Sequence, residues 1–269
     1  MNRIQTLFGQ LQKEGRKALI PFITAGDPHP SMTVSLMHAL VEAGADLIEL
    51  GVPFSDPMSD GPVIQHASER ALKFGTSLGD ILKMVAEFRK KDNATPVVLM
   101  GYLNPYEAMG YVKFARAAKE SGVDGVLTVD CPPEEAEDLL EAFSKEAIDP
   151  VFLISPTTST SRMEKIGKLA SGYVYYVSLK GVTGATHLDF REIETKVKEI
   201  RDAIDLPVCI GFGIRDEGTA KAASRIADGV VIGSRIVKEI EVSDHDHVIE
   251  NIKRLIKTMR RAIDDKELS

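Results

Sequence analysis

Residues 46–54 read DLIELGVPF. Apolar side chains run through this stretch almost without a break, and a Gly-Val-Pro turn closes it. A strand that is apolar on both faces belongs to a parallel sheet covered on both sides. Seven more runs of the same kind flank it: ALIPFITAG (18–26), TPVVLMGYL (95–103), DGVLTVD (124–130), DPVFLIS (149–155), GYVYYVS (172–178), LPVCIGFG (206–213) and DGVVIGS (228–234). A polar or glycine-rich turn follows each run, and most gaps hold one amphipathic helical stretch. Eight strand–helix units in 269 residues predict a closed (β/α)8 barrel of the TIM-barrel class, folded as one domain over residues 1–269. An open doubly wound sheet is the competing architecture. It lacks support, because the turn after the first run, AGDPHP, carries one glycine rather than a GxGxxG signature.

Helical signals fill the gaps. Residues 3–12 form an extra N-terminal helix, placed ahead of the first strand where it can plug the bottom of a barrel. Ile193, Val197 and Ile200 fall at helical spacing within 189–203, as do Ile249, Ile252, Leu255 and Ile256 within 247–263. Glu134 and Glu135 follow Pro132-Pro133 and predict a first helical turn, where the helix dipole favours acids. The polar tail at 264–269 is expected to fray.

Composition narrows the function. Hydrophobic residues make up 43% of the chain, enough for a large core. No apolar run approaches the roughly 18 residues of a membrane span. The N-terminal MNRIQTLFGQLQKEGRK lacks the apolar segment of a secretory signal, so a cytoplasmic protein is expected. The formal net charge of −7 and a pI near 5.5 argue against nucleic acid as partner, since that requires a basic stripe. They leave a phosphorylated metabolite open, because backbone N–H groups can hold a phosphate. Cys131 and Cys209 form no CxxC pair, and Cys209 sits in an apolar run as a core residue.

Three features carry chemistry. Glu49 lies among Leu47, Ile48, Leu50 and Val52 in a strand. A carboxylate there must pair with a cation or take up a proton through a raised pKa, and no other strand run offers an interior Lys or Arg. A glutamate of raised pKa suits general acid–base work. The next loop, GVPFSDPMSDGP (51–62), brings Asp60 onto the same connection. Asp60 can cap a helix starting near Pro62, or swing over a ligand that Glu49 contacts from below. In the second case one carboxylate titrates while the other stays ionised and stabilises positive charge. The third feature is glycine after the last three strands: GVTGA (181–185), GFG (211–213) and GS (233–234). Barrels often bind phosphate with such loops. No P-loop is present, so no nucleotide is inferred.

At LIELGVPFSDPMSDGP the sequence resembles the tryptophan synthase alpha subunit family. PFITAGDP near the start, Asn104-Pro105, GVTGA and GFGI support the resemblance in order along essentially the whole chain. It implies cleavage of indole-3-glycerol phosphate to indole and glyceraldehyde 3-phosphate by acid–base chemistry. Glu49 would protonate the indole C3 and relay protons with the glyceryl hydroxyl. Asp60 would hold the indole N–H. Phe22, Leu127 and Val129 would line the indole slot, with Tyr175 beside Glu49 and Thr183 helping to close the site over Asp60. Gly184, Phe212, Gly213, Gly233 and Ser234 would complete substrate binding, chiefly at the phosphate. The family implies no cofactor or metal in this chain. It also implies docking onto a pyridoxal-phosphate beta subunit in an alpha2beta2 heterotetramer, through residues 53–56, 104–109 and the turn near Pro132. Two departures stand out. SLK (178–180) replaces the Arg-Ser pair of many members, which leaves loop closure open, and Met100 replaces a usual leucine.

Other readings compete. Lys180 could form a Schiff base, as in some barrel aldolases, or be a solvated loop lysine. The six histidines are scattered and none lies in a strand run, which disfavours a metal-dependent aldolase. A lyase releasing indole without a partner, or a non-catalytic phosphate-binding activator subunit, would share the fold. Keeping both Glu49 and Asp60 argues against the last.

Overall fold

The structure is a computed structural model that describes residues 2–177, 190–211 and 213–265. Eight parallel strands close into a barrel in sequence order: β1 Ala18–Thr24, β2 Ile48–Gly51, β3 Val97–Gly101, β4 Gly125–Thr128, β5 Asp149–Ile154, β6 Val174–Val177, β7 Val208–Gly211 and β8 Gly229–Ile232. Closure is made by β1 against β8, with Ala18 opposite Gly229 and Pro21 opposite Ile232. The expected (β/α)8 barrel is therefore present.

The strands read as unbroken apolar runs because both faces are covered. Every residue of β1 is buried. Side chains alternate between two cores, as the period of a strand requires. Leu19, Ile23, Ile48, Leu50, Val97, Leu99, Ile210 and Ile232 face the helices. Ala18, Ile20, Leu47, Val98, Leu127, Val151, Tyr175, Cys209 and Val231 fill the barrel. Glu49 falls on the inner register, and that single parity decides the chemistry of the site.

Helix α1 (Arg3–Glu14) seals the lower end, two residues longer than the sequence predicts. Ile4, Phe8 and Leu11 pack into the same cluster as the barrel interior. Asn2 caps the helix by accepting from the Gln5 N–H at 2.9 Å. Beside it lies a buried ion network. Asp124 accepts from Arg89 Nη2 and Arg3 Nη1, each at 2.8 Å, and from the Val97 N–H at 2.9 Å. Arg89 also donates to the carbonyls of Gly122 and Thr95. The Arg89 and Asp124 side chains are 8% and 5% exposed. Substituting one partner of such a pair strands a charge, so Arg89→Met should cost about 3–5 kcal/mol. Urea unfolding at neutral pH would show the loss; an unchanged midpoint would mean that the network adds nothing.

Short additional helices at the upper end position the site. After β2 come α2's successors α3 (Pro62–Lys73) and α4 (Leu78–Arg89), with α2 itself (Thr33–Glu42) lying after β1. After β3 come α5 (Leu103–Met109) and α6 (Tyr111–Ser121). The remaining helices are α7 (Glu137–Glu146), α8 (Thr160–Leu169), α9 (Phe190–Ala203), α10 (Glu217–Ile226), α11 (Ser234–Val242) and α12 (Val248–Asp264). The buried Ile193, Val197 and Ile200 of α9, and the Ile252, Leu255 and Ile256 of α12, match the predicted stripes, with Ile249 partly buried against the same core.

Two local expectations fail. Helix α7 starts at Glu137, not directly after Pro133, so Glu137 and Asp138 occupy its first turn. Glu134 instead pairs with Arg162 and Lys165 of α8, at 3.1 and 3.3 Å. Nor does Asp60 cap α3. Gly61 is the N-cap, no side chain caps it, and the Asp60 carboxylate is used elsewhere.

Candidate active site

Glu49 projects into the barrel from β2 and is fully buried. Tyr173, just before β6, donates its hydroxyl to Glu49 Oε1 at 2.6 Å. Among the described residues Oε2 has no hydrogen-bond partner. Burial drives the pKa up to about 7, against the lowering effect of the Tyr173 hydrogen bond, and no cation among the described residues offsets it. The group can therefore exist as the neutral acid or as the anion at physiological pH. Sequence reasoning missed Tyr173. The signal was available, since strand parity puts Tyr173 on the same inner face as Tyr175.

Tyr175 is also buried in the interior, close enough to Glu49 for that carboxyl to help raise its phenol pKa. Its hydroxyl occupies the space above Gly211. A Cβ built on Gly211 would lie 1.8 Å from the Tyr175 hydroxyl oxygen and 2.4 Å from its ring carbons. Gly211→Ala must displace Tyr175, and misplacing a group that lines the reacting centre can cost about 10²-fold in kcat/KM. Steady-state kinetics with intact secondary structure by circular dichroism would show this. Wild-type kinetics would mean that Tyr175 has no fixed role.

The apolar slot lies above this layer. Phe22 pairs in register with Glu49, and its ring comes within 2.5 Å of where a Cβ on Gly51 would sit, so glycine there makes room for it. Phe22, Met100 and Val129 line one pocket together with Thr24, Tyr102 and Asp60. Met100 supplies apolar surface to that pocket. Leu127 is fully buried one side-chain layer deeper, in the cluster that holds Tyr175. Phe22 and Val129 thus meet Asp60 at the mouth, while Leu127, Tyr175 and Glu49 form the floor.

Asp60 is half-buried on the loop between β2 and α3. Burial raises its pKa to about 6, opposed by a hydrogen bond with the Tyr102 hydroxyl. Tyr102 in turn accepts from the Ser59 N–H at 3.0 Å and stacks on Phe54, centroids 5.3 Å apart. Gln65 of α3 donates to the Asp60 carbonyl at 2.8 Å. The loop is thus braced from both sides by residues that the sequence alone did not single out. Both carboxyl groups are raised, and Glu49 lies higher, so near neutral pH Asp60 is the more ionised of the two.

At the expected phosphate end, Gly213 adopts φ +76°, a conformation that favours glycine. Gly233 is the N-cap of α11 and Ser234 its first residue, with no side chain capping that end. Thr183, Gly184, Phe212 and the Leu179-Lys180 segment lie outside the described residues. Among the described residues no group of three His, Cys, Asp or Glu could hold a metal ion, and no helix is long and apolar enough to cross a membrane.

A closed parallel barrel with a buried carboxyl in its throat and a second carboxyl on the adjoining loop has the architecture of a (β/α)8-barrel enzyme. Comparison with known proteins makes this specific. The sequence model of the tryptophan synthase alpha chain matches residues 8–264. The tryptophan synthase alpha chain of Nitrosospira multiformis is 60% identical over 264 residues, covering 98% of this chain and 95% of that one. That of Chromobacterium violaceum is 60% identical over 263 residues, covering 98% and 100%. A crystal structure of the tryptophan synthase alpha chain from Legionella pneumophila superposes with a TM-score of 0.93 at 44% identity, covering 100% of both chains. The chain belongs to the tryptophan synthase alpha-chain family. Members of this family are carbon–carbon lyases of tryptophan biosynthesis that cleave indole-3-glycerol phosphate to indole and glyceraldehyde 3-phosphate.

Proposed function

We propose that Glu49 and Asp60 carry the family's cleavage reaction in this chain. The indole ring of the substrate occupies the slot between Phe22 and Val129, above Leu127 and Tyr175. Neutral Glu49 donates its proton to C3 of the ring, which becomes an indoleninium-like cation. Asp60 accepts a hydrogen bond from the ring N–H and stabilises the positive charge growing there. The bond from C3 to the glyceryl carbon then breaks, and its electron pair returns to the ring to restore aromatic indole. The glyceryl hydroxyl loses its proton to the Glu49 carboxylate as the aldehyde forms, so Glu49 ends as it began. Every step uses side chains of this chain, and none draws on a cofactor.

The phosphate is assigned to Gly213, Gly233 and Ser234; Thr183, Gly184 and Phe212, which the family resemblance adds to substrate binding, lie outside the described residues. The backbone N–H groups at the start of α11 suit an anion. The partner is a pyridoxal-phosphate beta subunit in a cytoplasmic alpha2beta2 assembly, docked through residues 53–56, 104–109 and the turn at Pro132. Met58, 81% exposed on the Asp60 loop, is consistent with a contact surface there.

The observation that carries this reading is a fully buried glutamate inside the barrel with no cation paired to it among the described residues, where burial raises its pKa to about 7. Purified chain incubated with indole-3-glycerol phosphate should release indole, faster with the beta subunit present. No indole under either condition would refute the assignment.

A further inference from the structure

Thr24 ends β1 on the inner register, one layer above Phe22. It is 2% exposed, and its hydroxyl makes no hydrogen bond among the described residues. A hydroxyl buried without a partner is costly, whereas valine would fill the same shape without that cost. The Thr24 hydroxyl is therefore better explained by something it binds than by packing. It borders the same pocket that Phe22, Met100 and Val129 line, whose other polar walls are Asp60, Tyr102 and Ser68 of α3, the last 4% exposed. The open space there is about 10 Å³. One water requires on the order of 10–15 Å³ and two to four polar partners, and this site meets both conditions.

We propose that Thr24 is a positioning residue for the cleavage reaction: its hydroxyl and the Asp60 carboxylate hold a single water that aims Asp60 at the indole N–H. The proposal rests on the assignment of Asp60 made above. The hydrogen-bond directions balance. The Thr24 hydroxyl donates to the water oxygen, and the water donates one hydrogen to the carboxylate and the other to the Ser68 hydroxyl. An ionised carboxylate accepts at about four sites, so this water and Tyr102 leave a lone pair free for substrate. Hydrogen bonds to an ionised acceptor are the strong ones, so such a water can fix the rotamer of a carboxylate carried by a loop.

Thr24→Val and Thr24→Ser separate this role from packing. Valine keeps the shape and removes the hydroxyl; serine keeps the hydroxyl. Thr24→Val should lower kcat about tenfold while KM stays within about twofold, because Asp60 acts on charge that develops in the transition state. Its melting temperature should hold or rise, and Thr24→Ser should recover most of kcat. A high-resolution crystal structure of the wild-type chain should show one ordered water within about 3.2 Å of both the Thr24 hydroxyl and Asp60. Full kcat in Thr24→Val, equal impairment in Thr24→Ser, or no such water would each overturn the proposal. Asp60→Asn serves as the control. If it is inactive while Thr24→Val is normal, only the water bridge falls; if it is fully active, the Asp60 assignment falls as well.

Discussion

Glu49→Gln should be almost inactive and more stable than the wild type. The amide cannot donate the proton to the indole C3 or take one from the glyceryl hydroxyl, and proton transfer by a positioned side chain contributes about 10²–10⁴-fold to rate. KM should change little, because the amide fills the same space against Tyr173. The stability gain follows from linkage. The folded-state pKa of Glu49 is raised from 4.5 to about 7 by burial. A carboxyl raised in this way favours the fold while protonated, and that contribution fades as pH climbs through the folded-state value. The neutral amide escapes the loss. Its advantage should grow from under about 1 kcal/mol near pH 5 to about 3 kcal/mol near pH 8. Denaturant unfolding at the two pH values checks this. A variant equally stable at both would show that the buried carboxyl carries no ionisation penalty.

Asp60→Asn should lower kcat by about 10²- to 10³-fold, the range found when one preorganised electrostatic partner of a developing charge is removed. The amide can still face the ring N–H but brings no negative charge to the indoleninium. The pH dependence distinguishes the two carboxyl groups. Wild-type kcat/KM should be bell-shaped, falling below about pH 6 as Asp60 is protonated and above about pH 7 as Glu49 ionises. In Asp60→Asn the acid limb should disappear from the residual activity while the alkaline limb remains. An unchanged acid limb would assign it to another group, and Asp60 would lose its role.

The barrel is legible in the sequence because its strands are buried on both faces, which turns each into an apolar run framed by turns. Glu49 is legible for the same reason: in such a run a carboxylate contrasts with everything around it. The residues that tune the site are harder to see. Tyr173 and Tyr102 are tyrosines in apolar segments, where composition reads them as core, and only strand parity and tertiary contact aim their hydroxyls at Glu49 and Asp60. Asp60 shows the opposite failure. Local rules favour a carboxylate before Gly-Pro as a helix cap, yet the Tyr102 hydroxyl on the neighbouring connection engages it instead. The start of α7 is hard to read for a related reason, since Glu134, in the turn before the helix, is held by ion pairs to Arg162 and Lys165 of α8.

Thr24 belongs with these residues. A threonine ending a strand is unremarkable in one dimension, and only the closed barrel shows that its hydroxyl is buried in Asp60's pocket with no partner among the described residues. The polar residues that share a pocket with Asp60 are spread over β1, α3 and the β3–α5 connection, so no short motif contains them.

The ionisation of Glu49 itself is the most direct measurement. Infrared difference spectra between the wild type and Glu49→Gln, collected from about pH 3.5 to pH 9, isolate the carbonyl stretch of the protonated Glu49 carboxyl. Its intensity should vanish with a midpoint near 7. A midpoint at the ordinary glutamate value near 4.5, or a band that persists across the whole range, would contradict a proton-exchanging acid at the heart of this barrel.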